Sequence, residues 1–228
     1  MSGDTESISV VTLRRPGVSF PAVIALCVLS VASLALITTV DDIAYRFTVS
    51  HRSFLAMLAE IRLPSLILCT ILALLIRPAA AQETGLDSAR WPKPFVIAVY
   101  WLLGTTIAVF MLRVYVPPLP RRVDVVALLF TGLVAEECLF RGALFGLAAR
   151  AFPGRPVTVI VWTSLFFSAQ HFQYHHFAVT RNALTQVAYA FPLGLVLGYV
   201  RTRTGSLGAP VALHFVNNLL SVVRVTLG

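Results

Sequence analysis

Long apolar runs separated by short polar breaks, most of them carrying an arginine, set the pattern of this chain. Seven runs approach or exceed the roughly 20 residues a helix needs to cross a bilayer. They cover residues 18–40, 53–76, 94–114, 123–149, 156–172, 182–200 and 207–227. The pattern predicts an all-α, polytopic transmembrane helical bundle of about seven spans. The first run follows Arg14 and Arg15. It is longer than the ~7 to 15 apolar residues of a signal-peptide core, and no small-residue cleavage site follows it directly, so it reads as a true span. "PAAAQ" at 78–82 has an Ala-x-Ala pattern but follows a second apolar run, which makes it a linker. That second run, 53–76, is the least regular, because it contains Glu60, Arg62 and Pro64; the two charged residues read as interfacial. The chain divides on this reading into amino-terminal spans, 1–115, and a core, 116–228, with no internal repeat or low-complexity segment.

Composition agrees with the pattern. Hydrophobic residues make up 57% of the 228 and charged residues 12%, and the mean hydropathy is +0.83. A soluble domain carries about a quarter charged residues. The net charge of +8 raises the question of nucleic acid. The basic residues, however, are scattered over nearly every loop instead of forming one face, so no nucleic-acid partner is expected and the bilayer accounts for them. Their distribution between alternate loops only slightly favours a cytoplasmic amino terminus. Cys27, Cys69 and Cys138 all lie in apolar runs without a Cys-x-x-Cys pair, which points away from disulfides and thiolate metal cages.

One stretch departs from the apolar background. "VAEECLFRGALFG" at 134–146 places Glu136, Glu137 and Arg141 inside a predicted span. Charges at membrane depth cost several kcal/mol by most estimates and persist where they pair or serve a cavity. Glu137 and Arg141 are four apart, on one helix face, and can neutralise each other. Glu136 is turned by about 100 degrees from Glu137, toward a neighbouring sector without a local partner. Two more pairs have the same spacing: Phe167 and His171 in "LFFSAQHF", and His214 and Asn218 in "ALHFVNNLL". Nearly consecutive spans therefore aim a carboxylate, two imidazoles and an amide at the bundle interior, a set suited to activating water. Glu136 would act as general base, His171 would position the water, and His214 with Asn218 would donate hydrogen bonds to the oxyanion of an attacked amide.

Taken singly, each feature has a plainer reading. A Glu–Arg pair in a span serves as a clamp or gate, and a buried His or Asn serves as interhelical glue. A proton-coupled transporter using Glu136, His171 and His214 is the main alternative; an inactive scaffold or immunity protein is another. Cys138 has Val134 and Gly142 at helical spacing, nothing that would activate a thiol, so it reads as a packing residue. Gly132, Gly142 and Gly146, and the Gly194 and Gly198 pair, suit close helix contact. "HFQYHH" at 171–176 reads as the wet end of a span, although His171 and His175 also have chelating spacing.

The three motifs Glu-Glu-x-x-x-Arg, Phe-x-x-x-His and His-x-x-x-Asn, together with "GYVRTRTGSLGAPVALHFVNN", resemble the CAAX prenyl endopeptidase and bacteriocin-processing (CPBP, or Abi) family of intramembrane proteases. The likeness covers about 123–227; the first 115 residues share hydrophobicity alone. It implies a hydrolase cutting a membrane-associated protein or peptide (a CAAX-type tail, a leader or a carboxy-terminal sorting anchor). It further implies catalysis by Glu136, His171, His214 and Asn218, with Glu137, Arg141 and Phe167 supporting. The family is described both as glutamic proteases and as metalloproteases. No cofactor is assigned from the residues, and a His-Glu-x-x-His zinc motif is absent. If a divalent metal such as zinc is used, Glu136, His171 and His214 could supply its three protein ligands. The expected location is a bacterial inner (cell) membrane, multi-pass.

Overall fold

The computed structural model describes residues 18–48, 58–76 and 125–227, and among these every regular element is helical. The expected span 94–114 and the domain boundary at 115 lie outside them. In order the elements are α1 (Phe20–Ser33), α2 (Leu36–Thr48), α3 (Leu63–Ile76), α4 (127–151), α5 (Pro156–Ala169), α6 (Arg181–Thr204) and α7 (Gly208–Leu227). A 3₁₀ turn, Gln170–His175, extends α5.

The first expected span, 18–40, is not one helix. The chain breaks at Leu34 and Ala35, whose N–H groups bond only three residues back, to Val31 and Ala32. α2 then leaves at 57° to α1. The cause lies where the sequence turns polar, at "TTVDD". Asp41 on α2 reaches the first turn of α3, where its carboxylate accepts from Ser65 N (3.2 Å) and Ser65 Oγ (3.1 Å). α2 is thereby drawn across the start of α3, satisfying donors a helix cannot satisfy itself.

The second expected span, 53–76, is interrupted as well. Arg62 sits in the left-handed region at φ 60°, and α3 begins after it. Pro64 fits the restart: it is the second residue of α3, in a first turn where no N–H partner is needed.

α4 is the spine of the fold. Two of its stretches, Ala127–Thr131 and Cys138–Leu144, are π-helical and alternate with α-helical Gly132–Glu137 and Phe145–Ala151. A π turn removes a backbone carbonyl from the regular ladder. One carbonyl in each stretch is taken up by a distant side chain: Leu128 O by Asn218 Nδ2 (2.9 Å) and Arg141 O by Arg201 Nε (3.0 Å). Later helices are thus tied to the α4 backbone itself.

Small residues set the spacing between helices. A Cβ on Gly142 would lie 2.6 Å from Ala73 Cβ on α3, and a Cβ on Gly194 would lie 3.0 Å from Ser164 Cβ on α5. Gly198 meets Ile160 in the same way, so the Gly194 and Gly198 pair does the close packing expected of it. α6 runs from a Thr180 cap, whose side chain accepts from Ala183 N, to Gly205 in the left-handed region. It is long and apolar enough to cross a membrane, and the bent α1–α2 pair reaches that size as a unit. The outward sides of α1 and α3 expose Val28, Val31, Leu74 and Leu75, a surface that suits lipid better than water.

Candidate active site

The site forms where α4 faces the end of α5 and the middle of α7. Glu136 and Glu137 are adjacent on α4, both buried, yet they point to different partners. Glu137 Oε1 accepts from Arg141 Nη1 at 3.2 Å, one turn along the same helix. It also accepts from His214 Nδ1 on α7 at 2.8 Å. Because a carboxylate only accepts, the His214 ring carries its proton on Nδ1 in that bond. Arg141 is held further by the Gly194 carbonyl of α6 (Nη2, 3.4 Å) and stacks 4.1 Å from the Phe167 ring centroid. Glu137 Oε2 and Arg141 Nε are buried without a partner among the described residues, so the pair is only partly satisfied.

Phe167 is the shared wall of the site. Fully buried, it meets Phe140, His171 and His214 edge-on at 5.4, 5.1 and 5.7 Å between centroids. His171 donates from Nδ1 to the Phe167 carbonyl at 2.8 Å, which is the only role a carbonyl allows. In its neutral form the ring then offers a lone pair at Nε2. The 3₁₀ turn supplies this geometry. It ends α5 by tightening, and its three residues per turn place His171 and Tyr174 on one side, with rings 5.8 Å apart.

Glu136 has no partner on α4, as its angular position predicts, but it is not free. Its Oε1 accepts from the Tyr174 hydroxyl at 2.7 Å. Tyr174 in turn accepts from Arg62 Nη1 at 3.0 Å, and the Arg62 guanidinium lies over the Tyr174 ring at 4.9 Å. The other oxygen, Oε2, is 4.0 Å from His214 Nε2. That gap is too long for a hydrogen bond and fits a single bridging oxygen.

Asn218, one turn beyond His214, donates to Leu128 O as described and accepts at Oδ1 from Asn217 Nδ2 at 3.2 Å. The Tyr189 hydroxyl of α6 holds Asn217 in turn. Cys138 is buried beside the acids, its Sγ contacted by the Thr70 hydroxyl of α3. Of the two remaining histidines in "HFQYHH", His175 pairs with Gln186 through Nε2 (2.7 Å) and His176 is exposed in the left-handed region. His171 is held through Nδ1 by the Phe167 carbonyl and His175 through Nε2 by Gln186. Among the described residues, no three His, Cys, Asp or Glu side chains converge as ligands for one metal ion. The set Glu136, His171 and His214 therefore does not make a ligand cage in this arrangement.

The structure brings Glu136, Glu137, Arg141, Phe167, His171 and His214 together and sets Asn218 beside them. Sequence reasoning missed Tyr174 and Arg62. A signal existed for both: Arg62 is a charge inside an apolar run and needs a partner, and Tyr174 follows His171 by three.

Residues 118–220 match the profile of a family described as "Type II CAAX prenyl endopeptidase Rce1-like". This bears out the resemblance drawn from the three motifs and extends to none of α1, α2 or α3. Comparison with curated proteins and with solved structures gave no match.

Proposed function

We propose that a chain matching the type II CAAX prenyl endopeptidase Rce1-like family over 118–220 is an intramembrane endopeptidase, hydrolysing a peptide bond by a Glu-activated water. The reading takes the remaining apolar runs as further spans, about seven in all. The observation that carries the mechanism is the 4.0 Å gap between Glu136 Oε2 and His214 Nε2, walled by Phe167. It is a buried slot with a base on one side and an imidazole on the other.

Water enters that slot and donates one proton to Glu136 while the His171 Nε2 lone pair orients it. The hydroxide attacks the scissile carbonyl carbon. The oxyanion accepts from the second hydrogen of Asn218 Nδ2, the first being used on Leu128 O. It also accepts from His214 Nε2–H when that ring carries both protons, its charge then balanced by Glu137 at Nδ1. Glu136 returns the proton to the leaving amine as the C–N bond breaks, giving a new carboxylate and a new amine. A substrate must arrive unwound, because a helical segment hides its carbonyls in its own hydrogen bonds.

The substrate is a membrane-associated protein or peptide. We place it among CAAX-type tails, leaders and carboxy-terminal anchors. The test is cleavage by purified protein in liposomes, using an internally quenched prenylated peptide ending in a CAAX sequence and a membrane-anchored peptide with a hydrophobic tail. Glu136→Gln should slow release of the new terminus by about a hundredfold to ten-thousandfold while leaving the protein folded. Full cleavage by that variant, or none by the parent on either probe, would end the proposal.

A further inference from the structure

We infer that the working site extends beyond the family-matched segment: Tyr174 is a positioning residue for Glu136, and Arg62, from the break before α3, holds Tyr174 in place. The inference rests on the reading of Glu136 as the base.

Three observations carry it. The Tyr174 hydroxyl donates to one oxygen of Glu136 at 2.7 Å, which turns the second oxygen toward His214. A carboxylate with both oxygens unheld would rotate about its terminal torsion, whose preferences are broad; one fixed oxygen removes that freedom. Arg62 Nη1 donates to the same hydroxyl at 3.0 Å, so the phenol oxygen accepts from the cation while its proton goes to Glu136. The Arg62 guanidinium also covers the ring face at 4.9 Å. Arg62 reaches this position from a left-handed backbone, φ 60°, a conformation that non-glycine residues rarely adopt and that the surrounding structure must hold. Its side chain runs past Gly132 on α4, where a Cβ would come within 3.1 Å of Arg62 Cδ. α5 is fixed to the same region by Thr38 Oγ1, which donates to Gln173 Oε1 at 3.0 Å; Gln173 is the residue before Tyr174.

Proximity and orientation, more than binding, are what such a contact supplies. Misplacement of a reacting group by about 1 Å can cost a hundredfold in rate. Tyr174→Phe, which keeps the ring, should lower kcat by about tenfold to a hundredfold with KM changed by less than about threefold. Arg62→Met should lower kcat in the same direction by less, and Arg62→Lys, which keeps a cationic donor, should recover part of the loss.

The experiment measures kcat and KM for these variants in liposomes on whichever of the two peptide probes the parent cleaves, with Glu136→Gln in parallel. The double variant Arg62→Met/Tyr174→Phe should be no slower than Tyr174→Phe, since Arg62 acts through the tyrosine. Parental kcat in Tyr174→Phe, or a loss in the double variant equal to the product of the single losses, would overturn the inference. So would a change confined to KM. If Tyr174→Phe does not fold, the Arg62→Met and Arg62→Lys pair decides: equal kcat in both rejects the role. The Glu136→Gln result separates the two claims. Its inactivity beside a fully active Tyr174→Phe sinks only the role of Tyr174, whereas its full activity sinks the base assignment beneath both.

Discussion

Glu136 and Glu137 are neighbours in sequence, both buried in α4, and held in different ways. Glu137 is held by charge and ring: Arg141 and His214 both donate to one of its oxygens. Glu136 is held by a neutral phenol on one oxygen and faces an open gap on the other. Glu137 is thus tied through one oxygen to a fixed cation and a ring, while Glu136 keeps one oxygen facing His214 across 4.0 Å. The helix separates the two environments simply by its ~100° step per residue.

Arg141→Leu should give the largest effect on this contrast. Removing one partner of a buried pair leaves an uncompensated charge, at a typical cost of about 3 to 5 kcal/mol. It should appear as lower thermal stability in detergent together with lost cleavage; a stable, active variant would remove the bracing role of Arg141. Glu137→Gln comes next. It should weaken both stability and rate, since His214 and Arg141 each lose an anionic acceptor, while Glu136→Gln should cut kcat by about a hundredfold to ten-thousandfold and leave the unfolding temperature near the parent's. If the two variants behave alike, the division of labour between the acids is wrong. Cys138→Ala should have the smallest effect: its thiol touches Thr70 and no reacting group, so kcat should stay within about twofold, with a modest stability loss from the small cavity.

Much of this site was legible because its residues are spaced by helical turns. Glu137 with Arg141, and Phe167 with His171, needed only a period and a sense of what charge costs in lipid. Gly194 and Gly198 likewise announced a close helix contact. The contacts of Glu136 were not legible, because they come from elements whose course the apolar pattern hides. Arg62 lies in the least regular of the apolar runs, where its charge reads as interfacial and nothing in the period points it at Tyr174. Tyr174 lies on a 3₁₀ turn, where a period of 3.6 gives the wrong neighbours. The bend after Ser33 was missed for a related reason: hydropathy continues through Leu34 to Ile37, and the turn is made by the later attraction of Asp41 to Ser65.

The wide turns of α4 carry an implication for biogenesis. When this helix first leaves the ribosome and meets lipid, the carbonyls of Leu128 and Arg141 have no donors, for Arg201 and Asn218 have yet to be synthesised. An orphan acceptor in hydrocarbon costs several kcal/mol, so the nascent helix should either stay regular or linger near the translocon's water. Its final shape is then set retroactively by α6 and α7, which are made after it, and the geometry around Glu136 comes into being only once both have followed.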